Sequence, residues 1–207
     1  QSPTLPNGMI ATKGSSLMAS ADSFLITVRG RGGHASMPHH ASDPIPMACE
    51  MVGAFQSMVT RRVDVFDPAV VTVARIQAGS TSNVIPETAE LYGTVRTVSE
   101  KARDSVLADI ERVAQGLASA HGATAEISIV RGYPVTVNDP AAAQFPLDTA
   151  STLHGSSNAI EMPTPVMGAE DWSYVLQQVP GAMAFLGTRP EGVAPHEVAP
   201  NHSNRMV

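Results

Sequence analysis

The chain has 207 residues and a formal net charge of −6, from 13 basic and 19 acidic side chains. This length accommodates one domain or two small ones, and the acidic balance argues against a broad nucleic-acid surface, which needs clustered positive charge. No run of sequence approaches the roughly 20 apolar residues of a membrane span, and a single cysteine excludes an intramolecular disulfide framework. We therefore expect a globular protein that has neither nucleic acid nor membrane as a partner.

The first half of the chain contains a predicted strand, a helix and a second strand. Residues 1–18 are rich in Pro, Gly, Ser and Thr and are typical of loop or extended chain. Apolar and polar residues then alternate from Ser23 to Arg29, which predicts a half-buried strand. Asp43-Pro44 is typical of a helix start, and apolar residues recur from there at three- and four-residue spacing as far as Arg62. A β-rich run follows over 69–76.

A strand, a helix and a strand continue the series. Residues 89–95 alternate again, Ser99 is suited to cap a helix, and residues 125–131 predict another strand. The order strand–helix–strand–strand–helix–strand over 22–132 predicts an α+β, ferredoxin-like βαββαβ domain, in which two helices cover one face of a four-stranded antiparallel sheet. Because such a sheet leaves two open edges, we expect this domain to form a homodimer through an edge strand or a helix.

The remaining sequence does not supply a complete core. A helix is predicted over 140–154, a second over 170–179 and a short buried strand over 181–187. Two helices and one or two strands need a sheet to pack against, and this part of the chain does not contain one. We therefore expect an incomplete second domain and a partner segment outside this sequence.

Few residues outside the core have a pattern that points to chemistry. His34 follows two glycines in a loop, a position that is either catalytic or merely solvated. A metal site from His34 with His39 and His40 is disfavoured, because Pro38 interrupts the run and the spacing is not helical. His202 lies in a Pro-rich loop and is a candidate metal ligand, although no cluster supplies its companions.

Several short motifs, taken in order, resemble one enzyme family. They are Gly-Arg-Gly-Gly-His-Ala-Ser-Met-Pro-His (30–39), Asn-Val-Ile-Pro (83–86), Gly-Thr-Val-Arg-Thr (93–97) and Gly-Ala-Glu-Asp-Trp-Ser-Tyr (168–174). The chain is similar over essentially its whole length to the aminoacylase/carboxypeptidase metallopeptidase family. The most similar branch contains the hippurate hydrolases and other N-acyl-amino-acid amidohydrolases.

The resemblance implies a two-domain enzyme with an inserted lid. Residues 19–133 match the lid and dimerisation domain, whereas 1–18 and 134–207 match parts of an α/β catalytic domain. The family binds two divalent metal ions, usually zinc, with manganese or cobalt as alternatives. Four of its metal-ligand positions and its catalytic Glu lie upstream of Gln1, and only His202 matches a ligand. The resemblance thus implies a fragment that is inactive alone and binds no metal tightly.

The resemblance also implies roles for residues of this chain. His34 matches a histidine that reaches across the dimer and stabilises the tetrahedral oxyanion, and Asn83 matches an asparagine that contacts substrate. Either Arg131 or Arg96 corresponds to an arginine that holds the substrate carboxylate. Glu170-Asp171 matches carboxylates beside the active site that orient ligand histidines.

Two functions follow from these observations. The first is metal-dependent hydrolysis of the amide bond of small N-acyl amino acids by a homodimer. We expect this homodimer to be cytoplasmic, because the sequence that starts with Gln1-Ser2-Pro3 shows no basic and apolar regions of a signal peptide. The alternative is a non-catalytic ferredoxin-like module for dimerisation or binding, because this fold serves many functions. A glycine-flanked His34 beside Asn83 discriminates between the two, since a dimerisation module needs neither.

Overall fold

The structure is a computed structural model that describes residues 1–205, so the last two residues of the predicted segment 134–207 lie outside it. Its strands and α-helices follow in the order β1 (Ser2–Pro6), β2 (Ile10–Thr12), β3 (Ser15–Met18), β4 (Asp22–Arg29), β5 (Gly33–His34), α1 (Pro44–Arg62), β6 (Ala69–Ala78), β7 (Val84–Ile85), β8 (Thr88–Thr97), α2 (Glu100–Ala120), β9 (Thr124–Arg131), β10 (Thr136–Asn138), α3 (Pro140–His154), β11 (Ala159–Glu161), α4 (Trp172–Leu176) and β12 (Phe185–Arg189). No helix in this part of the chain has both the length and the apolar content to cross a bilayer.

The chain divides into two compact units. The central unit comprises Ala19–Val135 with Met167–Ala169, and the terminal unit comprises the other described residues. The central unit contains β4 to β9 with α1 and α2, whereas the terminal unit combines the first three strands with β10 to β12, α3 and α4.

The central unit is the predicted ferredoxin-like domain. Its antiparallel sheet has the order β6-β8-β4-β9, with Phe24 of β4 opposite Gly93 of β8 and Ile129 of β9. Alternate residues of β4 are buried, as the period of a half-buried strand requires. They pack in one core with apolar residues of both helices, among them Phe55 of α1 and Ile110 of α2. The expected α+β fold class is thus confirmed.

Local capping explains where the two long helices begin. The Asp43 carboxylate accepts a hydrogen bond from the Ile45 N–H at 2.9 Å at the start of α1. The Ser99 hydroxyl oxygen accepts one from the Ala102 N–H at 3.0 Å at the start of α2. Each bond satisfies a backbone donor that has no partner within its helix.

A buried ion pair lies where the chain enters and leaves the central unit. Arg103 of α2 donates to both carboxylate oxygens of Asp22, at 2.9 and 2.6 Å, and also to the Gly132 carbonyl at 3.1 Å. The Gly132 N–H donates to the same Asp22 carboxylate at 3.0 Å. Arg103 and Asp22 are only 4% and 3% exposed, so this cluster ties the first and last strands of the unit to α2 without solvent.

Strand β6, at one edge of the sheet, has two local features that set it apart from a regular strand. Val73 pairs with Gly93 and Arg75 with Tyr92, which leaves Ala74 as the extra residue of a β-bulge. The Gln56 side-chain amide of α1 donates to the Val71 carbonyl at 3.1 Å. Bulges and covering groups of this kind are common on edge strands, because they limit pairing with another chain.

The start of the terminal unit is more regular than its composition indicated. Residues 1–18, expected as loop or extended chain, form three strands: β1 pairs with β12, β2 lies between β12 and β11, and β3 pairs with β10. The strands with which β1, β2 and β3 pair lie far along the chain, so the local composition of residues 1–18 did not predict these pairings. The core is small and consists of Ala11, Leu17, Met18 and Phe185 with a few half-buried neighbours.

The later elements of the terminal unit agree only partly with expectation. The predicted helix 140–154 has the observed bounds of α3, and its Asp139 cap accepts from the Ala142 N–H at 2.9 Å. The predicted helix 170–179 shortens to α4, which ends before Pro180. The predicted strand 181–187 lies later, as β12. The side chain of buried Asn138 donates to Thr12, Lys13 and Met183, which links the two halves of the unit.

Candidate functional site

The loop Gly30–Asp43, which we call the His34 loop, is closed at its base by a pair of backbone hydrogen bonds. The Arg31 N–H donates to the Ser42 carbonyl at 2.9 Å, and the Ser42 N–H donates back to the Arg31 carbonyl at 2.8 Å. A Cβ atom on Gly30 would collide with the same Ser42 carbonyl oxygen, and one on Gly32 would lie 2.9 Å from the Ile85 carbonyl oxygen. Glycine therefore permits the close approach of backbone that shapes the loop.

Within this loop the structure brings His34 and Asn83 together. The short strands β5 and β7 pair antiparallel, with His34 opposite Val84. The Ala35 N–H extends the pairing with a hydrogen bond of 3.0 Å to the Asn83 carbonyl. Two residues that are distant in sequence thus lie on adjacent chain segments of one small sheet, and both are exposed.

The side chains of His34 and Asn83 each form hydrogen bonds through one of their two polar atoms. The Nδ1 atom of His34 lies 2.8 Å from the Ser36 hydroxyl oxygen and accepts a 3.2 Å hydrogen bond from the Ser36 N–H. The Asn83 Oδ1 atom accepts from the Thr81 hydroxyl at 3.1 Å. Among residues 1–205 no group pairs with His34 Nε2 or with the Asn83 amide nitrogen, so two hydrogen-bonding groups remain available to a ligand.

Charged side chains on the neighbouring strands are already paired. Arg29, at the end of β4, binds Glu126 of β9 at 2.7 Å. The hydrogen bond to Glu126 raises the pKa of the Arg29 guanidinium, and the bond from Arg29 lowers the pKa of the Glu126 carboxyl. Arg75 stacks over the Tyr92 ring at 4.3 Å from its centroid. These contacts hold the guanidinium groups of Arg29 and Arg75 against side chains of neighbouring strands.

The structure does not bring Arg131 or Arg96 together with His34 and Asn83 within one copy. Arg131 pairs with Asp22 at the first residue of β4, and Arg96 is the penultimate residue of β8, at the same end of the sheet. The eight residues of β4 separate that end from the His34 loop, a span of about 25 Å. Arg131 also donates to Asp104 at 2.6 Å and lies 3.6 Å from Glu100.

The other predicted site residues belong to the terminal unit. Glu170 and Asp171 directly precede α4, and the Glu170 carbonyl accepts from the Ser173 hydroxyl at 2.6 Å. Neither carboxylate caps that helix through its side chain. His202 lies in the exposed C-terminal loop with a positive φ of 67°. In the described part of the chain no group of three His, Cys, Asp or Glu side chains could hold a metal ion.

A cavity of about 420 Å³ in the terminal unit contains residues that sequence reasoning did not select. Pro3 and Thr188 line it together with His196, Glu197 and Arg205 of the C-terminal loop. The Thr188 hydroxyl is buried without a partner among the described residues. The sequence signals were the Pro-rich composition of 190–200, which marks a loop, and the position of His196 in the same loop as the candidate ligand His202.

The close packing of Gly30 leads to the first prediction. Gly30→Ala is expected to destabilise the chain by roughly 1–3 kcal/mol, because the added methyl group forces the base of the His34 loop apart. Urea unfolding measures the loss, and amide exchange at Arg31 and Ser42 reports the opened base. Gly53→Ala in α1 is the matched control, since open space surrounds that glycine, and it should stabilise by about 0.5–1 kcal/mol. Equal effects of the two substitutions would contradict the prediction.

Comparison with known proteins identifies relatives of both units. Residues 19–122 match the family model M20_dimer, the peptidase dimerisation domain. The chain is 35% identical over 206 residues to thermostable carboxypeptidase 2 of Saccharolobus solfataricus, covering 99% of this chain and 51% of the relative. It is 38% identical over 202 residues to N-acetyldiaminopimelate deacetylase of Geobacillus thermodenitrificans, covering 97% and 53%. The chain thus spans about half the length of these relatives.

A solved structure is similar across both units. The crystal structure of a dinuclear metal-binding peptidase of the M20 family from Bacillus subtilis matches with a TM-score of 0.74 and 32% sequence identity. The match covers 91% of this chain and 46% of that chain. The similarity therefore extends beyond the segment matched by the dimerisation-domain model.

Proposed function

Because the chain belongs to the M20 peptidase family through its dimerisation domain, we propose that it is part of a metal-dependent amidohydrolase that cleaves N-acyl amino acids. Relatives at 35–38% identity are named as carboxypeptidases and as deacetylases of N-acetylated amino acids, which supports an amide substrate. The products of this reaction are a carboxylic acid and a free amino acid. With hippurate as the substrate they would be benzoate and glycine.

The position of His34 and Asn83 on adjacent segments of one small sheet carries the proposal. Attack of water on an amide carbonyl places negative charge on its oxygen, and a hydrogen-bond donor aimed at that oxygen is worth roughly 3–4 kcal/mol. Both side chains are exposed and have groups without a partner among the described residues. In this proposal His34 donates to the oxyanion and Asn83 binds the substrate beside it.

The position of the His34 loop favours action on a second copy. The loop lies at the end of the sheet opposite to Asp22 and Arg131, where the chain enters and leaves the central unit. In this proposal a two-fold dimer of central units brings the His34 loop to the partner's site. For the substrate carboxylate we favour Arg96 over Arg131, because Arg131 is already bound by Asp104.

The metal part of the proposal depends on residues outside this sequence. The described residues do not assemble a donor set for one metal ion, so they do not fit a dinuclear centre by themselves. We assign His202 as one ligand, with Glu170 and Asp171 orienting the site, and the other ligands to polypeptide outside this sequence. Zinc, manganese and cobalt are the candidate ions.

An activity assay tests this proposal. Hydrolysis of hippurate and other N-acyl amino acids is measured with added zinc, manganese or cobalt, for this chain and for a version extended upstream from its parent gene. We expect activity only in the extended version. Activity of this chain alone would show that the ligands are assigned wrongly, and inactivity of both would favour the dimerisation or binding module.

The dimer is tested independently of activity. Sedimentation velocity of this chain at rising concentration should show a dimer. A strict monomer at high concentration would contradict a dimer formed by the central unit.

A further inference from the structure

We propose that Ser36 is a positioning residue that holds His34 in the tautomer with hydrogen on Nε2, so that the imidazole is a hydrogen-bond donor toward the substrate. The inference rests on the proposed role of His34 at the oxyanion. It concerns a serine two residues further along the same loop, which neither composition nor spacing distinguishes from other loop serines.

The direction of one hydrogen bond identifies the tautomer. The Ser36 backbone N–H donates to His34 Nδ1 at 3.2 Å, and a backbone N–H is only ever a donor. Nδ1 must therefore carry a lone pair, and the hydrogen of the neutral imidazole is on Nε2. The Ser36 hydroxyl, 2.8 Å from the same Nδ1, adds a second and shorter contact in which it can donate.

The turn geometry explains why Ser36 can provide both groups. The Met37 N–H donates to the His34 carbonyl at 2.9 Å, which closes a turn from His34 to Met37. The Ala35 N–H is used by the Asn83 carbonyl at 3.0 Å. Ser36 is the turn residue whose N–H points back to the imidazole, so the ring is held by the same backbone segment that pairs with Asn83.

The chemistry depends on this orientation. In the other neutral tautomer Nε2 would present a lone pair, which repels a developing oxyanion. A group that fixes tautomer and ring orientation acts through the histidine and does not contact the substrate. Ser36 should therefore change turnover more than substrate affinity.

The tautomer is measured on this chain itself. Long-range ¹H–¹⁵N correlation spectra of histidine-labelled protein distinguish protonated from unprotonated ring nitrogens, and His34→Gln assigns the His34 signals among the seven histidines. We expect unprotonated Nδ1 and protonated Nε2 in the unsubstituted chain. Ser36→Ala removes the hydroxyl and keeps the backbone N–H, so it should add signals of the second tautomer to those of the first. Ser36→Thr, which keeps a hydroxyl, should retain the original pattern.

Kinetics of the extended, active protein provide the second readout. Ser36→Ala is expected to lower kcat about five- to tenfold with little change in KM, the effect of losing one hydrogen bond. In a His34→Ala background the same substitution should have no further effect, because Ser36 acts only through His34. Ser36→Thr should recover most of kcat, and Ser128→Ala, on an exposed position of β9, is the control that leaves kcat unchanged.

Each result decides the role of Ser36. An unchanged tautomer in Ser36→Ala would show that the backbone N–H, which this substitution keeps, fixes the ring by itself, and it would overturn the role of the Ser36 side chain. An equal loss of kcat with and without the His34 imidazole would overturn it as well. If the extended protein hydrolyses none of the N-acyl amino acids, the proposed function fails, and the spectra of this chain still test the tautomer.

Discussion

Replacing His34 with alanine in the extended protein is expected to lower kcat for N-acyl amino acid hydrolysis by about a hundredfold or more, with bound metal unchanged. The expected loss follows from its role, because a donor to the developing oxyanion contributes in the transition state and little to substrate binding. Steady-state kinetics measure kcat and KM, and elemental analysis measures the metal content. Loss of metal in His34→Ala would make His34 a ligand and contradict the donor role.

A mixing experiment shows whether His34 acts on its own copy or on the partner. One preparation of the extended protein carries His34→Ala, and a second carries His202→Ala. The two preparations are mixed, unfolded and refolded together. If His34 serves the partner's site, random pairing restores about one quarter of the unsubstituted activity, since half the dimers are mixed and each has one complete site. If His34 serves its own copy, no complete site forms and the mixture stays as inactive as its components.

Replacing Arg103 with methionine is expected to lower the free energy of unfolding of this chain by about 3–5 kcal/mol. The substitution leaves the Asp22 carboxylate buried, at 3% exposure, without the cation that balances it. It also removes the donor to the Gly132 carbonyl, so the two strands at this end of the sheet lose a shared contact. Urea unfolding followed by circular dichroism measures the loss.

An exposed ion pair of the same sheet is the control for this prediction. Arg29 and Glu126 also pair at 2.7 Å, but their side chains are 50% and 63% exposed. Arg29→Met should therefore cost less than about 1 kcal/mol. Adding Asp22→Asn to Arg103→Met should cost less than the sum of the single substitutions, because the uncompensated charge is then gone. If Arg103→Met costs no more than Arg29→Met, the cluster does not stabilise the fold.

The main sheet and helices of the central unit were predictable because each of these elements has a local signal. The alternation in β4 and β8 and the helical spacing in α1 and α2 are visible within a dozen residues. The order of the elements then predicts the sheet, although β4 pairs with β8 and β9 and not with its neighbours in sequence. The terminal unit lacked such signals, since β2 has three residues and pairs with β11 and β12, which are far along the chain. Pairings of that range depend on packing that no local pattern contains.

The site was also predictable only in part, namely where its residues have a local signal in the sequence. The glycines around His34 indicated a shaped loop, and the resemblance to a family selected Asn83, but the pairing of β5 with β7 emerged only from the fold. Arg131 and Arg96 were expected near substrate, and their roles stay predictions, because both lie at the other end of the sheet. Ser36 was missed because its contact with His34 depends on a turn geometry that a single serine does not indicate.

The bulge in β6 has a consequence for aggregation. A sheet with two open edges could add the β9 edge of one copy to the β6 edge of the next, and this contact repeats into a fibre because it never closes. The bulge at Ala74 bends β6 and disturbs the regular row of backbone groups that such growth requires. We therefore expect the bulge to hinder growth of fibres through this edge in a crowded solution.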